Sequence, residues 1–241
     1  MEKSLSKALI EPTLSSKDIS LPSHAFLVFT LQDLALMKAQ WPHRYQGQRL
    51  FLSEVVVVGD HEVSVALVGP MIGAPQAVLV LEKIIVLGVR RVVALGWCGS
   101  LQPHVAVGDV VLPVSAYSEE GTSPHYPLDT LGTASCKLLQ QIEATLRTDE
   151  EFAVHKGSVW STDAPYRETE DKVRLYQEKG ALGVDMEMSA LLTVAAFRGI
   201  ELAGVLVVSD DLSQLRWRHG FRDPRFQRTR KRLPELLRHL L

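Results

Sequence analysis

Two acidic residues in the C-terminal third of the chain stand where a carboxylate could act on a ligand. Asp210 follows an apolar run, residues 202–208, that is typical of a buried strand, and α/β proteins bind ligands at the carboxyl ends of their strands. Glu187 follows Met186 at the entry to an apolar helix, where a carboxylate can accept hydrogen bonds from hydroxyl groups. Both also have a structural interpretation, because acidic residues are common in first helical turns and as caps, and Asp211 lies next to Asp210.

A glycine-rich segment lies between two apolar runs in the middle of the chain. Residues 92–95 lead into Gly96-Trp97-Cys98-Gly99-Ser100-Leu101-Gln102-Pro103-His104, and a second apolar run follows. Glycines at the end of a buried strand let a ligand approach the backbone, so we expect residues 96–104 to form a turn beside a binding site. Cys98 has no base partner in the surrounding sequence, which favours a packing role over nucleophilic catalysis.

The composition is that of an ordinary globular protein, with 46% hydrophobic and 22% charged residues. A net charge of −2 offers no general attraction for nucleic acid or an anionic membrane. Residues 213–241 nevertheless carry nine Lys and Arg against two Asp and Glu. We expect this segment to be a solvated loop and helix, with phosphate or nucleic-acid contact as the less favoured interpretation.

The cysteine count and the lengths of the apolar stretches exclude several classes of protein. Cys98 and Cys136 lack metal-ligand spacing, which excludes a disulfide framework and a zinc site, and we expect no metal or cofactor. The N-terminal segment has no apolar signal core, and no apolar stretch approaches about 18 residues. We therefore expect a cytoplasmic protein that does not contact membranes.

Short apolar runs alternate with stretches of helical spacing. The predicted helices span 74–87, 134–146, 168–179 and 188–198, and the predicted strands span 25–29, 55–58, 63–68, 91–95, 107–112, 152–159 and 202–208. Pro75 near a helix start and Gly88, Gly180 and Gly199 near helix ends support these bounds. The alternation predicts an α/β fold with a mixed or largely parallel sheet. We expect one domain over residues 1–241, with an N-terminal segment 1–20 and a basic C-terminal segment 213–241.

Several sequence blocks occur in an order that is typical of one enzyme family. They are Gly69-Pro70-Met71-Ile72-Gly73-Ala74-Pro75, residues 96–109, Gly121-Thr122-Ser123, Ser161-Thr162-Asp163-Ala164-Pro165-Tyr166, Val184-Asp185-Met186-Glu187 and Val208-Ser209-Asp210. In these blocks the chain resembles the nucleoside phosphorylase and nucleosidase superfamily, in the branch of uridine phosphorylase, hexameric purine nucleoside phosphorylase and methylthioadenosine nucleosidase. The resemblance implies a three-layer α/β/α domain with a mixed, mostly parallel central sheet, assembled as a homodimer or hexamer.

The resemblance also implies roles for individual residues. Glu187, with Met186, would hold the ribose hydroxyls beside an oxocarbenium-like transition state. Asp210 would protonate the leaving base, which is then a purine. Cys98 and Gly99 would line the base pocket, and Tyr166 would lie against the face of the base. The implied substrate is a nucleoside, and the implied role is in nucleoside metabolism and purine salvage.

The segment after the first predicted strand departs from the phosphorylase pattern. Those enzymes bind phosphate with a Gly-Asp-Pro-x-Arg loop, where this chain reads Phe29-Thr30-Leu31-Gln32-Asp33. Ala94 and Trp97 stand where relatives place an arginine and a threonine, and Arg49 lies near the expected place of a third arginine. Burying phosphate without guanidinium partners is unfavourable.

We therefore expect cleavage of an N-glycosidic bond with phosphate or water as the acceptor. Water would be activated by a carboxylate, and Asp33 is the candidate. Phosphate would need new cations from the C-terminal segment, for which the candidates are Arg216, Arg218 and Arg222. The alternative is a nucleoside-binding protein of the same fold without turnover.

Overall fold

In the computed structural model of the protein, residues 8–59, 63–128, 132–238 and 240 are described. The strands are β1 (His24–Val28), β2 (His43–Leu50), β3 (Ser53–Gly59), β4 (Ser64–Gly69), β5 (Arg91–Ser100), β6 (Val110–Glu119), β7 (Val154–Thr162), β8 (Gly183–Asp185), β9 (Glu201–Asp211) and β10 (Arg218–His219). The helices are α1 (Leu31–Ala39), α2 (Ala74–Val86), α3 (Cys136–Leu146), α4 (Glu170–Glu178), α5 (Met188–Arg198) and α6 (Pro224–Arg238). Residues 1–7 of the predicted N-terminal segment lie outside the described residues.

All of these strands belong to one sheet, in the order β10-β9-β6-β7-β8-β5-β1-β4-β3-β2. Strand β9 also pairs with β5, so that β5, β8, β7, β6 and β9 close into a ring. The pairs of β1 with β4 and β5, and of β5 with β9, are parallel, whereas β2, β3 and β4 form antiparallel pairs. The structure thus confirms an α/β fold with a mixed sheet.

The helices form two groups, and the sheet lies between them. Helix α2 packs against α5, whereas α1 and α3 both pack against α6. The core between these layers consists of fully buried aliphatic and aromatic side chains from the central strands and the inner helix faces, among them Phe26, Leu27, Leu81, Leu191 and Leu206. None of the described helices is long and apolar enough to cross a bilayer.

The predicted helices are confirmed, with ends that differ by at most two residues from the predicted bounds. Pro75 lies in the first turn of α2, and Gly88, Gly180 and Gly199 adopt positive φ values of 124°, 76° and 67° after helix ends. The extended stretches that sequence did not predict are β2, β8 and β10, and helix α1 was also missed.

The predicted turn at residues 96–104 was partly wrong. Strand β5 continues through Gly96 and Gly99 to Ser100, because β9 pairs with it along its whole length and β8 pairs with Gly99 and Ser100. The glycines are required by packing on this strand: a Cβ atom on Gly96 would lie 2.2 Å from Cδ2 of Phe29. The turn begins only at Leu101.

Candidate active site

Gly99 marks the place where the ends of three strands meet. It pairs with Val184 of β8 on one side and with Asp210 of β9 on the other. Neighbouring strands are about 4.8 Å apart, so the segments that carry Glu187 and Asp210 flank the same point of β5. A Cβ atom on Gly99 would lie 3.0 Å from Oδ2 of Asp210 and 2.7 Å from Cδ1 of Leu212. The absent side chain is what lets Asp210 lie against the strand.

Glu187 lies at the N-terminus of α5, in a buried position with 6% of its surface exposed. Its Oε1 accepts a hydrogen bond of 2.6 Å from the backbone N–H of Gly73. Gly73 has a φ of 79° and precedes α2, so two helix N-termini converge on this carboxylate. Burial and the nearby charge of Asp185 raise the pKa of Glu187, and the hydrogen bonds from the backbone of Gly73 and Met186 only partly offset them.

Asp185 holds the start of α5 in place. Its Oδ2 accepts hydrogen bonds from the backbone N–H groups of Glu187 at 2.9 Å and Met188 at 2.6 Å. Its Oδ1 accepts a hydrogen bond from the Ser161 hydroxyl, whose oxygen accepts one of 2.9 Å from the Ser189 backbone. Sequence reasoning assigned Asp185 no role, although an aspartate just before a helix is the usual signal for a cap. This network fixes the direction in which Glu187 leaves the strand.

A third buried carboxylate, Glu120, joins a loop to the same helix. It accepts hydrogen bonds from the backbone of Thr122 at 2.6 Å and from the hydroxyl of Ser189 at 2.9 Å. Burial alone would raise the pKa of Glu120, but hydrogen bonds from Ser123 and Ser118 and from the backbone outweigh it and lower the pKa. Glu120 is therefore a structural anion of the loop.

Asp210 and Asp211 have different environments, which separates their roles. Asp210 is partly buried, and its two oxygens accept hydrogen bonds from the hydroxyl of Ser209 at 2.6 Å and from Nε1 of Trp217 at 2.9 Å. Burial raises the pKa of Asp210 despite these bonds, and the charge of Asp211 adds to the rise. Asp211 instead pairs with Arg218 and caps the following turn through the Ser213 backbone at 2.7 Å. Although its burial acts in the opposite direction, those partners lower the pKa of Asp211.

Glu168 is a neighbour of Asp210 that the sequence did not single out. It follows a short 3-10 turn, Pro165–Arg167, and its side chain is partly buried. Burial and the charge of Asp210 raise the pKa of Glu168 to about 7. Two carboxyl groups with raised pKa values therefore share this end of the site. The only sequence signal was its position next to the block that ends at Tyr166.

The other residues predicted to line the pocket range from buried to fully exposed. Cys98 is buried with 2% exposure, and burial together with the charges of Asp185 and Asp210 raises the pKa of its thiol. Such a thiol is unreactive, in agreement with the predicted packing role. Met186 is partly buried beside Glu187, whereas Tyr166 is fully exposed and makes no ring contact with any described residue.

The side chain of Asp33 is enclosed by hydrogen bonds from other side chains of the protein. Asp33 is 3% exposed, and its Oδ2 accepts hydrogen bonds from Thr30 Oγ1 at 2.9 Å and Trp97 Nε1 at 2.7 Å. Its Oδ1 accepts bonds from Arg230 Nε at 2.8 Å and Nη2 at 2.7 Å. A carboxylate offers about four lone-pair sites, and all four are taken by the protein. The predicted water activator is therefore held as a structural anion.

The basic C-terminal segment folds back, as the hypothesis of a phosphate site with new cations required, but with a different arginine. Arg230 of α6 reaches Asp33 and lies 4.7 Å from the Trp97 ring and 5.3 Å from the Phe226 ring. Of the arginines named from sequence, Arg218 pairs with Asp211, and Arg216 and Arg222 are exposed. Arg49 is exposed on the edge strand β2. Within the described part of the chain, no group of three or more His, Cys, Asp or Glu residues is arranged to hold a metal ion.

Comparison with known proteins identifies the same family that the sequence blocks indicated. The family model described as the Phosphorylase superfamily matches residues 24–241. The chain is 33% identical over 152 residues to a DeoD-type purine nucleoside phosphorylase of Caldanaerobacter subterraneus subsp. tengcongensis, a match that covers 61% of this chain and 65% of that protein. It is 30% identical over 143 residues to a guanosine phosphorylase of Halorubrum lacusprofundi, covering 58% of each. These matches span less than two thirds of the relatives' length.

The fold has a close counterpart among solved structures. The structure of uridine phosphorylase from Vibrio fischeri ES114 superposes with a TM-score of 0.82, covering 94% of this chain and 98% of that one. The sequences are 22% identical. This likeness establishes the architecture.

Proposed function

Because this chain belongs to the phosphorylase superfamily, we propose that it cleaves the N-glycosidic bond of a nucleoside, with a purine as the preferred leaving base. The observation that carries the proposal is the pair of shielded carboxyl groups, Glu187 and Asp210, on segments that flank Gly99. One is suited to bind a sugar, and the other is suited to donate a proton.

Glu187 would bind the ribose. The backbone of Gly73 occupies one position on its carboxylate, and the remaining lone pairs can accept hydrogen bonds from two hydroxyl groups. In its ionised form, which the raised pKa of about 8 shifts toward alkaline pH, Glu187 places a negative charge here that stabilises the positive charge developing on the sugar ring as the bond to the base breaks. Because Asp185 fixes the backbone at Glu187, the carboxylate needs little reorganisation during the reaction.

Asp210 would donate the proton that lets the base leave. Its raised pKa keeps a larger fraction protonated near neutral pH than an ordinary aspartate would show. A purine offers a ring nitrogen in its five-membered ring to receive that proton. The names of the relatives, a purine nucleoside phosphorylase and a guanosine phosphorylase, support the same base class.

For the acceptor we favour water over phosphate. The turn after β1, where the resemblance places a phosphate loop, is filled by the bonds of Asp33 with Arg230 and Trp97. Desolvated phosphate needs cations that are not already paired. In the hydrolytic reaction, the C1′–N bond breaks, the base takes a proton from Asp210, and water adds hydroxide to C1′ while its proton restores Asp210. Phosphorolysis is the second candidate, and the relatives' names favour it.

The test is release of free base from a panel of purine and pyrimidine nucleosides, with and without phosphate. We expect release from purine nucleosides without phosphate. Glu187→Gln and Asp210→Asn should each lower kcat/KM by about 10²-fold or more. Asp211→Asn is the matched control, because that carboxylate caps a turn, and it should change the rate only a few-fold.

Other outcomes lead to different conclusions. A strict requirement for phosphate would assign phosphorolysis. No free base from any nucleoside, or equal effects of Asp210→Asn and Asp211→Asn, would contradict the proposed mechanism. Thermal stabilisation by nucleosides without product would instead identify a binding protein, the alternative that the closed turn at Asp33 also fits.

We also propose that the protein assembles with copies of itself, as the resemblance implies. Near the turn that joins β2 and β3, Leu31 and Leu52 line the same cavity, and Leu31, Phe51 and Leu52 are all exposed. An exposed apolar patch of this kind is typical of a protein contact. Sedimentation of the purified protein would measure the assembly, and a monomer at all concentrations would contradict it.

A further inference from the structure

Trp217 differs from the other three tryptophans of the chain in its exposure. Its side chain is 60% exposed, whereas Trp41 and Trp160 are 6% and 0% exposed. Trp97 is held within the protein by its hydrogen bond to Asp33. Single exposed apolar side chains are common on protein surfaces, so it is the position of Trp217, and not its exposure alone, that points to a role.

The fold places this ring beside Asp210. After β9 the chain reverses through Leu215, which has a φ of 56°, and returns as β10, where His219 pairs with Asp210. Trp217 immediately precedes β10, and its Nε1–H donates a hydrogen bond of 2.9 Å to Oδ2 of Asp210. The His219 ring packs against the indole at 5.9 Å between centroids. The ring is therefore positioned by two contacts while most of its surface stays free.

We propose that the free surface of Trp217 forms the aromatic wall of the base pocket and contacts the heteroaromatic ring of the substrate. This inference rests on the proposed function, because it takes Asp210 as the group that binds the base. Tyr166, the aromatic residue that sequence suggested for this contact, is fully exposed and has no described neighbour that would orient its ring.

Simple geometry supports the contact. A base atom that hydrogen-bonds to the same carboxylate oxygen lies, like Nε1, about 2.9 Å from it, so the two atoms are at most about 6 Å apart. Aromatic rings attract each other at centroid distances of about 4.5–7 Å. A base bound to Asp210 therefore lies within contact range of the indole, and uncharged ribose alone gains no such contact.

The indole N–H adds a second effect on the same group. Trp donates and cannot accept a hydrogen bond, so it fixes one oxygen of Asp210 while the Ser209 hydroxyl fixes the other. The carboxyl group is thus oriented before the substrate arrives. Trp217→Phe would keep a ring and remove this donor, and Trp217→Ala would remove both.

The experiment measures binding of adenine, hypoxanthine and uracil, with ribose as a ligand that has no aromatic ring. In the wild-type protein, we expect a saturable change of tryptophan fluorescence with a base and none with ribose. The change should disappear in Trp217→Phe, which also corrects for light absorbed by the base. By calorimetry, Trp217→Ala should weaken base binding about tenfold or more, because base stacking on an aromatic side chain contributes on this scale.

Three comparisons make the result decisive. The unfolding midpoint of Trp217→Ala should match that of the wild type, because the side chain is mostly exposed. If the wild type binds a base and Trp217→Ala binds it equally well, or if Tyr166→Ala alone weakens binding, the inference fails and the proposed function stands. If no base binds to the wild type and no nucleoside is cleaved, both fail together.

Discussion

Replacing Arg230 with methionine tests whether its ion pair with the buried Asp33 stabilises the fold. The guanidinium group makes two bonds to Oδ1 of Asp33, at 2.8 and 2.7 Å, and its side chain is 8% exposed against 4% for Asp33. It also lies over the Trp97 ring. Methionine fills a similar volume and cannot neutralise the carboxylate.

The expected loss in the free energy of unfolding follows from the carboxylate of Asp33, which Arg230→Met leaves buried without its cation. Asp33 would remain buried with only the hydrogen bonds from Thr30 and Trp97. Removing one partner of a buried ion pair destabilises proteins by about 3–5 kcal/mol. Since domains unfold with about 5–15 kcal/mol, Arg230→Met should shift the urea midpoint strongly.

Equilibrium unfolding in urea, followed by tryptophan fluorescence, is the assay. Arg174→Met is the control, because Arg174 pairs with Glu170 on α4 with 56% and 61% of the two side chains exposed. Exposed pairs contribute about 0–1 kcal/mol. The double variant Asp33→Asn with Arg230→Met should lose less than the sum of the single losses, by about 0.5–3 kcal/mol.

Two results would refute this reasoning. Arg230→Met could be as mild as Arg174→Met, which would show that the pair of Arg230 with Asp33 adds little to stability. Alternatively, phosphate could raise the unfolding midpoint of the wild type and not that of Arg230→Met. In that case Arg230 binds an anion, and the preference for water as the acceptor is wrong.

Two further predictions concern the base end of the site. The pKa of Glu168 is raised from 4.5 to about 7, so the stability contributed by its protonated form should be fully present below about pH 4.5 and lost as pH rises through about 7. The thermal unfolding midpoint of Glu168→Gln should lack this pH dependence. Midpoints of variant and wild type that change with pH in parallel would contradict this prediction. Gly99→Ala would place a Cβ atom 2.7 Å from Leu212 and 3.0 Å from the Asp210 carboxylate. We expect it to lower turnover by displacing that carboxylate and to cost about 1–3 kcal/mol in urea unfolding, and unchanged turnover would mean that Asp210 need not lie against β5.

Sequence reasoning predicted the regular elements wherever local signals were strong. Helix α5 has its predicted bounds because an apolar stretch ends at Gly199, which adopts the left-handed conformation that favours glycine. The edge strand β2 was missed, since its sequence, HRYQGQRL, is mostly polar and exposed and lacks a buried face. The continuation of β5 through two glycines was missed because its cause is pairing with β8 and β9, which lie about 100 residues further along the chain.

In the candidate site, too, some residues could be located from the sequence and others could not. Glu187 and Asp210 could be located from sequence because each adjoins an apolar element whose end is visible in the pattern. The partners of Asp33 could not, since Arg230 lies 197 residues away and nothing local connects them. Trp217 was read only as part of a basic segment, because its contact with Asp210 depends on a chain reversal at Leu215.

The positive charge of the C-terminal segment neutralises aspartates within the fold, and this affects which acceptor the site can bind. Four of its arginines reach aspartates elsewhere on the chain or in the preceding strand, in the pairs Arg218 with Asp211, Arg225 with Asp109, Arg230 with Asp33 and Arg232 with Asp149. The charge of an arginine paired in this way is already balanced by its aspartate, and moving the guanidinium group to another anion would leave that aspartate uncompensated, a loss that is large for the buried Arg230. The segment thus neutralises internal carboxylates, and a phosphate at the turn after β1 would have to compete with Asp33 for the same guanidinium group. This competition is the physical reason for favouring water as the acceptor.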